Sequence, residues 1–74
     1  MRTLNEIANE IIKDWIKPYF GAVPYLAAMV QIESINDNYG MDSGRSIVNY
    51  FLANAFTWRG ETARRIKKEL KNML

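Results

Sequence analysis

The sequence contains no cysteine and no histidine. The first absence excludes a disulfide, a thiolate zinc site and a cysteine nucleophile. The second removes the commonest general base and the commonest metal ligand. Proline occurs twice and glycine four times, too few for a collagen-like or low-complexity chain. Long apolar runs are also missing. The uncharged stretch from Phe20 to Val30 is interrupted by Gly21 and Pro24, and it falls far short of the roughly 20 apolar residues that span a bilayer. Met1-Arg2-Thr3 leads into a charged amphipathic stretch rather than the apolar core of a signal peptide. The expectation is a cytoplasmic protein with no membrane contact, and the lack of cysteine agrees with a reducing compartment.

What remains is 74 residues, 49% hydrophobic and 24% charged, the balance of a globular domain. We read residues 1–74 as a single helical domain. Folding a chain of this size buries only about 60% of the surface its unfolded form exposes. The core is therefore small, and pairing into a homodimer is one route to further stability.

Apolar periodicity predicts four helical segments and no strand. Thr3 followed by Glu6 has the spacing of a capping box. Leu4, Ile7, Ala8, Ile11, Trp15 and Ile16 recur at helical spacing behind it. Lys17 precedes Pro18, which disfavours the α region at Lys17 and ends this helix near Ile16. Pro24 suits the first turn of a second helix, whose stripe is Tyr25, Ala28, Met29, Ile32, Ile35 and Tyr39, with Gly40 as its C-terminal cap. Asp42 or Ser43 caps a third helix. Its stripe of Ile47, Phe51 and Trp58, flanked by Val48, Leu52 and Ala55, makes an apolar arc wide enough for two neighbours. This is the expected central helix. Gly60 ends it, and the last helix carries Ala63, Ile66, Leu70 and Met73 or Leu74. The predicted fold is all-α, a compact bundle of three to four short helices.

Charge is divided along the chain. Residues 1–44 hold three basic and six acidic side chains, a net of −3, whereas residues 45–74 hold seven and two, a net of +5. Arg64, Lys67, Lys68 and Lys71 fall at i, i+3, i+4 and i+7, so they share one face of the last helix, with Arg65 beside them and Arg59 just before. Three readings of this face compete. It can be a solvated surface with Glu61 and Arg65 as an i, i+4 pair. It can contact nucleic-acid phosphates, or dock on an acidic protein surface. A helix–Gly–helix unit also invites comparison with helix-turn-helix readers, in which Arg64 and Arg65 would reach guanine edges and Lys68 and Lys71 phosphates.

Most of the nine aromatic residues suit the core, but Tyr50 and Phe56 fall off the inner arc of the third helix. We take Tyr50, Phe56 and Trp58 as a candidate partner surface. The loop Tyr39-Gly40-Met41-Asp42-Ser43-Gly44-Arg45 has no Gly-Lys-Ser/Thr and is read as helix capping rather than a phosphate loop. Glu6 and Glu10 read as surface carboxylates. No cofactor is implied, and a domain this small is a poor host for the water-excluding cleft that tuned catalysis requires. The chain is read as a non-enzyme.

The run Tyr39-Gly40-Met41-Asp42-Ser43-Gly44-Arg45-Ser46-Ile47-Val48-Asn49-Tyr50-Phe51-Leu52 is followed by Asn54-Ala55, Trp58-Arg59-Gly60-Glu61, Ala63-Arg64-Arg65-Ile66-Lys67 and Glu69-Leu70. Together these resemble a group of short all-α proteins of uncharacterised activity encoded by bacterial phages and mobile elements. The likeness covers the C-terminal half and extends to the first helix only in pattern. It implies a non-catalytic binder of nucleic acid, of replication or packaging proteins, or of host defence enzymes, a class that includes inhibitors of CRISPR nucleases. It assigns no residue a role.

Overall fold

In the computed structural model, which describes residues 2–74, the first helix, α1 (Leu4–Asp14), opens on the capping box expected from the sequence. The Thr3 N–H donates to Glu6 Oε1 at 2.9 Å, and the Glu6 N–H donates to Thr3 Oγ1 at 3.3 Å. A third early N–H, that of Leu4, donates to the Glu33 carbonyl at 2.8 Å, so a distant loop completes the helix start. Leu4, Ile7, Ala8 and Ile11 are buried. The helix stops at Asp14, two residues earlier than expected, as Trp15 turns out of the α region at φ −96°, ψ 85°. Ile16 consequently leaves the buried stripe and is 80% exposed.

A single 3₁₀ turn, Phe20–Ala22, leads into α2 (Val23–Val30), with Pro24 in its first turn. Here the expected second helix is corrected. It ends at Val30 rather than at Tyr39, and two short strands follow, β1 (Asn38–Tyr39) and β2 (Asp42–Ser43). They pair antiparallel, Asn38 opposite Ser43 and Tyr39 opposite Asp42. Side chains compete for the backbone in this segment. The Asp37 carboxylate accepts from the N–H groups of Glu33 and Ser34 at 2.9 and 3.1 Å, and Ser34 Oγ accepts from the Asn36 N–H at 3.0 Å. Such local bonds offer an alternative to the helical ladder. The two-residue turn between the strands has Gly40 at φ +63° in its first central position, the requirement of a type II′ hairpin.

Ser43 caps α3 (Gly44–Ala53), its Oγ accepting from the Ser46 N–H at 3.1 Å. The helix ends at Asn54, whose side chain donates to the Tyr50 carbonyl at 2.8 Å, and does not reach Trp58. Trp58 instead arrives on a turn, its N–H donating to the Ala55 carbonyl at 3.1 Å. Gly60, at φ +112°, precedes α4 (Glu61–Met73), which buries Ala63, Ile66 and Leu70.

The fold is all-α apart from the small hairpin, with four α-helices among the described residues. α2 packs between α1 and α3, and α1 also takes α4. The middle of the bundle is thus the α1–α2 pair, not α3. The wide apolar arc of α3 is met partly by two indoles. Trp15 and Trp58 stack at 5.7 Å and 13°, and both approach the Phe51 ring edge-on at 6.2 and 6.3 Å. Among the described residues no helix is long and apolar enough to cross a membrane.

Candidate partner-binding face of the last helix

α4 has three flanks, set by the 100° step between residues. Ala63, Ile66 and Leu70 point into the core. Arg65 and Glu69 lie on the flank toward α1 and join a network with two residues from the start of the chain. Arg2 grips Glu69 with two bonds, Nη2 to Oε1 at 2.6 Å and Nε to Oε2 at 3.1 Å, and reaches Glu10 at 2.5 Å, while Arg65 pairs with the other Glu10 oxygen. Two cations and two carboxylates cancel on this flank. The guanidinium groups hold the carboxyls of Glu10 and Glu69 below the usual range, through Arg65 first and then Arg2 for Glu10, and chiefly through Arg2 for Glu69. The expected Glu61–Arg65 pair is not formed, because Glu10 takes Arg65.

The opposite flank faces the segment that carries Trp58. Lys67 donates to the Trp58 carbonyl at 2.6 Å and lies 5.9 Å from its ring centroid. Burial lowers its pKa, and Lys71 and Arg59 add to the effect by repulsion. Lys67 is therefore a tie between α4 and the turn before it as well as part of the basic face. Arg59, Arg64, Lys68 and Lys71 are exposed, and among the described residues no carboxylate lies at ion-pair distance from any of them. Arg64, Lys68 and Lys71 form one stripe. Arg59 directly precedes the Gly60 cap of α4 and is near enough to Lys67 for its charge to act there.

The expected aromatic surface divides. Trp58 is a core residue, 2% exposed, with its indole Nε1 donating to Asp14 Oδ2 at 2.8 Å. Its stacking on Trp15 holds it inside, so it is not a partner surface. Tyr50 and Phe56 are exposed by 52% and 58%, but on separate supports. Tyr50 stacks on Tyr25 at 5.3 Å. Phe56 meets the Tyr19 ring at 5.0 Å, and Tyr19 meets Phe20 at 4.8 Å. Gly21 permits this cluster, because a Cβ there would come within 2.6 Å of the Tyr19 ring and 2.7 Å of Asn54 Oδ1.

Sequence reasoning missed Phe20, 78% exposed. Its signal was its position in the Tyr19-to-Val23 connection, outside every apolar stripe. It also missed the Arg2–Glu69 bond, for which a separation of 67 residues leaves no local signal. An open groove of about 440 Å³ runs beside Leu4, Ser34 and Met73, with Arg2 and Glu33 as its titratable lining among the described residues. Arg2 is already engaged by Glu10 and Glu69. The chain matches no protein-family model, no curated protein and no solved structure.

Proposed function

We propose that this chain is a small non-enzymatic binding protein of a phage or mobile element, acting in the cytoplasm, whose basic last helix contacts nucleic acid or a nucleoprotein. One observation carries the reading: Arg59, Arg64, Lys68 and Lys71 line an exposed face with no carboxylate at ion-pair distance, while the flank toward α1 is internally neutralised. Cations held without partners are the groups that release counterions on meeting phosphates. Arg65 and Lys67 contribute less, since Glu10 and the Trp58 carbonyl already engage them.

The test is a polarisation titration with labelled oligonucleotides at low and moderate salt. Binding should weaken as salt rises, and the charge-reversed variant Arg64→Glu/Lys68→Glu should lose most of it. Unchanged affinity in that variant, or no binding even at low salt, overturns the reading.

The stacked Tyr25–Tyr50 pair supports a second reading, in which the chain binds a host protein and inhibits a defence complex in the manner of anti-CRISPR proteins. A partner retained from nuclease-treated host lysate, and lost on Tyr50→Ala, supports it. Light scattering separates both readings from a homodimer that covers the same pair.

A further inference from the structure

Resting on the nucleic-acid reading of α4, we propose that the ligand is a single strand, whose bases stack on Phe20 and Phe56 while its backbone follows Arg59, Arg64, Lys68 and Lys71.

The rings lie toward the end of α4 from which the cation stripe starts, at Arg59 and Arg64. α4 runs antiparallel to α1, since Arg2 pairs with Glu69 and Glu10 with Arg65. The N-terminal end of α4 therefore lies beside the C-terminal end of α1, where Asp14 holds the Trp58 indole. Phe56 is two residues from Trp58 and Arg59 is the next residue after it. The basic stripe lies on the flank of α4 that Lys67 ties to this same segment. Phe20 and Phe56 flank the Tyr19 ring, making a three-ring shelf whose outer members are 78% and 58% exposed. Lys17 is exposed three residues before Phe20.

Rings left open to water beside unpaired cations match the chemistry of single-strand binding, in which a positive groove tracks phosphates and aromatic faces take successive bases. A duplex offers its phosphates to the same stripe, but its base faces are already stacked on one another and give the shelf nothing to hold. Charge elsewhere fits the same placement. Glu33 shares a groove with Asn72 and Met73 at the other end of α4, and the Asp37 carboxylate bonds the Glu33 and Ser34 N–H groups beside it.

The experiment compares three labelled ligands with the full chain: oligothymidylate, an abasic strand with the same number of phosphates, and a duplex of equal total charge. Oligothymidylate should bind most tightly. Phe20→Ala/Phe56→Ala should weaken it by about tenfold or more, the size expected for lost base–aromatic stacking, and leave duplex and abasic binding unchanged. Phe20→Leu/Phe56→Leu, which keeps apolar area without the ring, should be equally weak. Both variants change exposed side chains, and circular dichroism melting verifies that they fold. The proposal is overturned if the abasic strand or the duplex binds as tightly as oligothymidylate, or if either variant binds like the parent; phosphate contact by α4 then still stands. If none of the three ligands binds, both proposals fall. A dimer that Phe20→Ala/Phe56→Ala dissociates, with no oligonucleotide bound, assigns the shelf to a second copy and overturns this one.

Discussion

Gly44 illustrates how one missing Cβ fixes a tertiary contact. It is buried at the first position of α3, and the loop after α2 closes directly on its backbone. Its N–H donates to the Asp37 carbonyl at 2.7 Å, and the Arg45 N–H donates to the Ile35 carbonyl at 3.0 Å. A Cβ at Gly44 would stand 2.6 Å from the Ser34 carbonyl oxygen and 2.8 Å from the Ile35 Cα. Both are main-chain atoms, so the loop must shift as a body. Gly44→Ala should cost about 1–3 kcal/mol, the range for overpacking a closed site, measured as a lower urea midpoint with an unchanged slope. The sequence marked this glycine only as part of a turn-rich loop. The close approach comes from residues nine and ten positions upstream and has no local signature. Trp58 is a parallel case: its apolar character was legible, but its partners Asp14 and Trp15 lie more than 40 residues away.

At the scale of elements, legibility followed the range of the interactions. The capping box and the α4 stripe are local devices legible from spacing, and the α3 cap was narrowed to Asp42 or Ser43, of which Ser43 serves. The second helix was overextended because Ile32, Ile35 and Tyr39 keep helical spacing while the polar residues between them do not favour a helix. Asp37 and Ser34 instead bond to the backbone around them, and Gly40 serves a hairpin rather than a helix end. That hairpin carries no Asn-Gly or Asp-Gly pair to mark it; Gly first and Met second is the type II′ arrangement. Asp37→Ala should remove the acceptor of two N–H groups at once. The expected loss is about 1 kcal/mol or somewhat more, with hydrogen exchange accelerated at Glu33 and Ser34 and unchanged in the middle of α4. Equal acceleration throughout the chain would mean that the segment does not open as a separate unit.

For the whole molecule, the small net charge of +2 is a balance of regions with different roles. The network of Arg2, Glu10, Arg65 and Glu69 consumes two cations in fastening the chain start and α1 to α4. What is left exposed on α4 is the stripe of Arg64, Lys68 and Lys71, with the Glu61 carboxylate in the first turn. The binding face was therefore legible as charge along a helix, but its outline was not, since which cations remain unpaired depends on side chains from the opposite end of the chain. The same network makes stability depend on pH in a defined direction. The carboxyls of Glu10 and Glu69 are held below their usual range in the folded protein. Their contribution is present above the unfolded carboxyl pKa, about 4.3, and is lost as pH falls through the lower folded values. Stability should thus be flat near neutrality and decline below about pH 5. These groups are about one-third exposed, so each pair is worth only about 0.2–1 kcal/mol and is screened by salt. Glu10→Gln removes the charge that Arg2 and Arg65 share, and it should flatten the acid decline measured by urea denaturation across pH. It should also free Arg65, raising low-salt affinity for an oligonucleotide as the net charge of the α4 surface becomes more positive. A steeper acid decline in the variant would contradict the assigned direction, and unchanged affinity would mean that Arg65 lies outside the contacted face.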